Sequence, residues 1–356
     1  MQNYIASDIA DIVIEPTPDA YKHMRPLDYS ILSSINTCPR YAIITYKHNL
    51  VMQAGRSQAL AAGDACHQAF AAMRLIDLHR RGLYELFDLH GQRLFPKLWA
   101  DMRTFIDDSE LAFILQALYT SGFEDAPYDK KRTITNLEES LIAYYQHWRW
   151  DDWPVYIFQD GTNRVGIELF FDNLYTFTFF DETKLRIRYC GRIDGIHQHK
   201  DGSIRPHENK TASSTNDNWR LGIKMSHQTM GYCIGTQLEL DLADEERVDD
   251  IVIHGLQIPL PKSVIDGLAY LPITRTEENF KDFISWMLSS AQQYINYTIE
   301  TAPMHTHSCN RYFSMCPLVP YCDAPTDEKV DILNEMEHVV WNPLREEEDE
   351  DNVNNT

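Results

Sequence analysis

Bases are scarce in this chain: 32 lysines and arginines stand against 53 aspartates and glutamates over 356 residues, a net charge of −21. A protein that simply coats nucleic acid needs the opposite balance, because lysine and arginine dominate phosphate binding. Long apolar runs are also missing, and no stretch approaches the roughly eighteen residues of a membrane-spanning helix. The first thirty residues, with Asp8, Asp11 and Glu15 among them, read as neither a secretory leader nor a basic transit segment. The expected location is therefore cytoplasmic. Seven cysteines, an odd number without such a leader, make a disulfide framework a poor account. No internal repeat is visible. At 44% hydrophobic and 12% aromatic, the chain can bury one large core, or one core with an inserted helical part.

The acid excess is uneven. Asp323 to Thr356 holds twelve acids and two bases, leaving −11 for the other 322 residues. The terminal REEEDEDNVNNT has the charge and low hydrophobicity of a solvated tail; a gate that mimics DNA, or a dock for a basic partner, is the alternative. Arg192, Arg205, Lys210, Arg220 and Lys224 cluster in sequence, which predicts a local positive groove on an acidic body.

What is present is most concentrated between Gly191 and Lys210, GRIDGIHQHKDGSIRPHENK, where an aspartate is followed fourteen positions later by Glu-x-Lys. Alternation along a strand puts Glu208 and Lys210 on one face. The turn at Lys200 to Gly202 folds Leu185–Ile196 back as a hairpin beside SIRPHENKT, which can bring Asp194 next to Glu208. Two hard carboxylates with open coordination positions suit Mg²⁺ or Mn²⁺, and a lysine beside them can serve an attacking water. Taken alone, this spacing also describes many solvated hairpins.

Flanking segments sharpen it. Ser57 to Arg81 is alanine-rich and lacks proline, so it reads as a long helix with His67 in its middle. Gln228 and Tyr232, four apart, share one face of a helix that follows the Glu-x-Lys strand. The series Gly63-x-x-x-His67, Gly191-x-x-Asp194, Glu208-x-Lys210, Gln228-x-x-x-Tyr232 resembles the order of motifs in the RecB-like, Cas4-like branch of the PD-(D/E)XK nucleases. The resemblance implies metal ligation by His67, Asp194, Glu208 and the main-chain carbonyl of Asn209, catalysis by Lys210, and contact of Gln228 and Tyr232 with DNA or the site. Glu168 resembles the glutamate that many members carry on the strand before the aspartate. Implied too is action on DNA ends, single-stranded ends favoured, in recombination, repair or phage DNA processing, which would mean the host cytoplasm. The alternatives are an end-processing factor within a complex of partner proteins, an inactive end-binding subunit, or a zinc-stapled interaction module.

Four cysteines form a second set: Cys38 near the start, then Cys309, Cys316 and Cys322. Their surroundings resemble the segments that hold an iron-sulphur cluster in phage-type members of the same branch, which implies a [4Fe-4S] staple tying the two ends together across 270 intervening residues. Four cysteines also make a structural zinc site, with His305 and His307 as spare ligands. Cys66, Cys190 and Cys233 read as small buried hydrophobes. Trp219 and Tyr232 are candidate base-stacking residues, with Arg192, Arg220 and Lys224 as further DNA contacts. Trp148, Trp150 and Trp153 read as core or helix-end packing.

The layout predicts an irregular segment over 1–27, a nuclease domain over 28–322 with a helical insertion at 83–150, and a helix with acidic tail over 323–356. Within it the expected elements are a helix at Ser30–His48 carrying Cys38, separate strands RVGIELFFDNL and YTFTFF, the two motif strands, a helix at Met225–Leu240, a strand in DDIVIHGLQIPL, and helices at Glu277–Tyr297 and Asp327–Trp341. This order fits an α/β fold with a mixed sheet, and the resemblance implies a restriction-endonuclease-like core with a helical subdomain.

Overall fold

A computed structural model describes residues 4–52, 57–148, 153–242, 247–311 and 314–344. Trp150 and the acidic tail lie outside the described residues. The strands are β1 (Ile9–Pro16), β2 (Leu50–Val51), β3 (Ile167–Phe179), β4 (Lys184–Gln198), β5 (Ile204–Ala212), β6 (Asp250–Gln257), β7 (Leu268–Thr274), β8 (Asn310–Arg311), β9 (Ser314–Met315) and β10 (Glu337–His338). The α-helices are α1 (Tyr29–Thr37), α2 (Pro39–Ala42), α3 (Gln58–Arg80), α4 (Tyr84–Leu94), α5 (Trp99–Asp108), α6 (Glu110–Tyr119), α7 (Ile134–His147), α8 (Asp217–Lys224), α9 (His227–Glu239), α10 (Glu277–Asn296), α11 (Val319–Asp323) and α12 (Lys329–Asn334). Six strands form one sheet in the order β1-β3-β4-β5-β6-β7. β5 and β6 pair in parallel, while β1–β3, β4–β5 and β6–β7 pair antiparallel. The sheet is therefore mixed, as expected. Two helices, α8 and α9, occupy the crossover that a parallel pair requires.

The described residues divide into two compact units: those of Met1–Gly55, Asp172–Gly191 and Glu277–Glu346, and those of Arg56–Phe171 and Arg192–Thr276. In the first, α1 buries Ile31, Leu32 and Ile35, and its partner α10 buries Phe283, Ile284 and Met287. Asp28 caps α1 by accepting from the Ile31 amide at 2.8 Å. In the second, α3 is the central helix, with twelve of its 23 residues buried. Its alanines let α4, α6 and α7 approach, and these helices share one hydrophobic core with Val155, Val165, Ile167, Leu256 and Ile258. The helical part is thus built into the core that carries the strands.

Several elements differ from expectation. The irregular first segment contains β1, whose register runs Ile12↔Phe177 to Pro16↔Asn173. The expected strands in 164–180 are one continuous strand, because Asp172 is paired with Arg188 (2.6 Å) and buried Asn173 pairs with Pro16 of β1; neither makes a turn. The helix expected at 30–48 breaks at Cys38, which is extended with φ −157°, since Pro39 disfavours helical backbone in the residue before it. The helix expected over 327–341 is only α12, after which Glu337 and His338 pair with β2. β7 and α8 are additional.

Candidate metal centre

His67, Glu168 and Asp194 come from three different elements, and one ligand atom of each lies within 4.8 Å of the others. The route of α3 explains the first. The helix lies against β5 one turn before His67, where Gly63 faces Thr211 and a Cβ would make an ordinary contact with its Oγ1 at 3.4 Å. His67 Nδ1 then stands 3.4 Å from Asp194 Oδ2. Asp194 comes from β4, whose hairpin with β5 runs from Gln198↔Ile204 to Gly195↔His207; Asp194 and Glu208 are the next residues on each strand. The expected hairpin is present, with the turn closed by His199 N to Ser203 O at 2.8 Å and Gly202 at φ +85°.

Glu208 is 2% exposed and its Oε1 contacts Lys210 Nζ, as alternation requires. The Asn209 amide donates to Asp194 Oδ2 at 2.7 Å. Glu168 enters from the start of β3, with Oε2 3.0 Å from Arg192 Nε. Glu168 Oε1 and Glu208 Oε2 are buried without a hydrogen-bond partner.

The electrostatics follow from this crowding. Burial pushes Glu208 up to about 7, and the Asp194 charge adds to it against Lys210. Burial also raises Glu168, against the pull of Arg192. Asp194 is as buried, yet His67, Arg74 and Lys210 outweigh desolvation and hold it well below the usual carboxylate range. Burial alone would lower His67, but Asp194 outweighs it and raises the imidazole. Three buried carboxyls, two of them with orphaned oxygens, are the condition that a divalent cation relieves. Oxygen ligands with one imidazole suit Mg²⁺ or Mn²⁺.

Other expected site residues are placed differently. Gln228 Nε2 donates to Tyr232 OH at 2.8 Å, so the pair does share a helix face, but Tyr232 is only 7% exposed and packs edge-on to Phe171. A ring so enclosed has no face for a base. The Trp219 ring lies where a Cβ on Gly255 would be, 2.5 Å from the ring edge, which ties it to β6. Arg220 donates to the Thr215 carbonyl at 3.1 Å, Arg205 pairs with Asp201 at 2.9 Å, and Lys224 is exposed. Trp148 and Trp153 pack on His254 and Tyr270, as core residues do.

The four cysteines of the second set line one cavity with Tyr41, Met304, Ser308, Leu318 and Val319. Burial raises the Cys316 and Cys322 thiols, and the charges of the neighbouring cysteines raise them further. His305 and His307 stack on each other at 5.5 Å and are not part of that lining. Cys66, Cys190 and Cys233 are buried and free, as expected.

Three residues of the second unit were not foreseen: Arg74, Arg93 and Tyr144. The one available signal was Arg74 itself, a lone charge in AFAAMRLI seven residues after His67, hence on the same helix face. Among curated proteins, none matches this sequence. A family model described as the PD-(D/E)XK nuclease superfamily matches residues 26–323, a span that holds His67, Glu168, Asp194, Glu208 and Lys210. Members of that superfamily are typically hydrolases that cut DNA with divalent metals, and the chain belongs to the PD-(D/E)XK nuclease superfamily.

Proposed function

We propose that this protein is an exonuclease that hydrolyses phosphodiester bonds at DNA ends, single-stranded ends favoured, with residues 28–322 as the nuclease domain and 83–150 as its helical insertion. The observation that carries the metal-dependent reading is the convergence of His67, Glu168 and Asp194 within 4.8 Å beside the orphaned carboxylate oxygens of Glu168 and Glu208. His67, Asp194, Glu208 and the Asn209 carbonyl hold Mg²⁺ or Mn²⁺, with Glu168 completing the acidic set. The bound ion would supply a water of lowered pKa and charge neutralisation on the phosphate. Lys210, on the same face as Glu208, orients that water or takes its proton. The Asn209 amide keeps Asp194 aimed at the site, and Arg192, paired with Glu168, is a base beside the centre that a phosphate could meet.

The cysteine set holds a [4Fe-4S] cluster as a structural staple. Support for that reading is that Cys38, Cys309, Cys316 and Cys322 all line one cavity, as the ligands of a single cluster must.

The test is degradation of end-labelled single-stranded and duplex DNA by anaerobically purified wild type and Lys210→Ala in Mg²⁺ or Mn²⁺. Only wild type should cut, and the label lost first reports polarity. If neither protein cuts while both bind, the catalytic assignment fails. Iron and acid-labile sulphide assayed on the same preparation should be present at four each per chain; stoichiometric zinc without iron would refute the cluster.

A further inference from the structure

Behind the metal centre lies a polar network that the hydrolytic reading does not use. Arg74 is 1% exposed and Asn209 fully buried. Arg74 Nη2 donates to Asn209 Oδ1 at 2.5 Å, and Asn209 Nδ2 donates to Tyr144 OH at 2.7 Å. Arg74 Nε donates to His197 Nε2 at 3.4 Å, which leaves His197 Nδ1 to donate to the Trp153 carbonyl at 2.7 Å. Asn209 is the middle residue of Glu-x-Lys, where an apolar side chain would satisfy the core. A Cβ on Gly195 would lie 2.4 Å from Arg74 Nε. The glycine that follows Asp194 therefore admits the guanidinium.

Burying a guanidinium is costly and is sustained only by good partners. Here Asn209 and His197 are those partners, with Nη1 left unbonded, and Arg74 and Tyr144 both converge on Asn209, whose amide holds Asp194. We infer that Arg74 and Tyr144 are positioning residues: they clamp the Asn209 side chain from two helices, lock the peptide planes between Glu208 and Lys210, and so set the affinity of the centre for its divalent cation. This inference rests on the metal-dependent reading above. With Asn209 fixed by its side chain as well as by the β5–β6 ladder (Asn209↔His254), Asp194 keeps its acceptor bond and the two acids keep their separation.

The experiment is calorimetric titration of Mn²⁺ into metal-stripped, full-length protein without DNA. Tyr144→Phe removes one hydroxyl and keeps the ring on Phe70. It should weaken Mn²⁺ binding roughly tenfold, at the lower end of the effect of outer-sphere partners on metal sites. Arg74→Met should weaken it at least as much, and Arg74→Lys should restore part of it. Turnover by Tyr144→Phe should return to the wild-type rate at saturating Mn²⁺, with KM for DNA unchanged. Phe113→Leu, at a buried position outside the network, is the stability control and should bind Mn²⁺ like wild type. Unchanged affinity in Tyr144→Phe overturns the inference, as does an equal loss in Phe113→Leu. Absence of Mn²⁺ binding by wild type itself would instead remove the metal-dependent reading, and this inference with it. Should Arg74→Met not fold, Tyr144→Phe alone carries the decision.

Discussion

Glu168 sits with φ at +46°, a region few non-glycine residues adopt, and holding it there costs about 1–3 kcal/mol. Arg93 of α4 sustains it by donating to the carbonyls of Ile167 (2.6 Å) and Glu168 (3.4 Å). Arg93→Met should relax that backbone and lower Mn²⁺ affinity several-fold, read by the same titration. A second consequence at this scale concerns acid. Burial pushes His254 down to about 3 and lowers His197 and His207 far below the usual imidazole range, helped by the other charges around them. The unfolded chain binds protons at these positions below pH ~6.5 while the folded one does not, so their contribution is intact above that pH and is lost as pH falls. In metal-free protein the unfolding free energy should drop below pH ~6.5 by up to about 1.4 kcal/mol per pH unit for each such histidine. Denaturant titrations from pH 7 to 5 measure it, and a flat profile would mean that these rings are hydrated.

At the scale of elements, α3 matters most, because it delivers both His67 and Arg74. Ser57 caps it by accepting from the Leu60 amide at 3.2 Å, and Ser57→Ala should cost about 1 kcal/mol in chemical denaturation. This helix was legible from its alanines and missing prolines. The edges of the sheet were not. β1 carries Asp11, Glu15 and Pro16, and β7 carries Pro272, which pairs with Val252. Charge and proline are how edge strands avoid pairing with other chains, and they are also what makes such segments read as loop. The internal strands β3 to β6, rich in aromatic and β-branched residues, were recognisable for the complementary reason, although β3 was divided at Asp172 and Asn173. Both look like turn residues until Arg188 and a buried ladder position are seen.

For the whole molecule, the net charge of −21 opposes the approach of DNA at long range, whatever the local arrangement of bases. Residues 345–356 hold six of the acids and one arginine. Truncation before Arg345 should therefore tighten DNA binding at low salt. The gain should vanish near physiological ionic strength, where the Debye length is about 8 Å. Fluorescence anisotropy with labelled single-stranded DNA across a salt series tests this, and a salt-independent gain would instead point to a tail seated in the DNA site.

Local chemistry was sufficient to find the strands that carry Asp194, Glu208 and Lys210, because Glu-x-Lys alternation and a turn at Lys200–Gly202 act over twenty residues and leave a pattern in the chain. The same holds for the α3 helix with His67 and for the cysteine set, which the fold gathers around one cavity. What only the tertiary structure decided are relations between distant segments. Nothing in sequence spacing joins Arg74, Tyr144 and Asn209, since hydrogen bonding between three elements depends on how the helices dock. Nor does any motif reveal that Tyr232 would be enclosed by Phe171 or that Trp219 would lie over Gly255. Which polar side chain ends buried, and beside what, follows from packing, because desolvation is set by the neighbours that the fold supplies rather than by the residue itself.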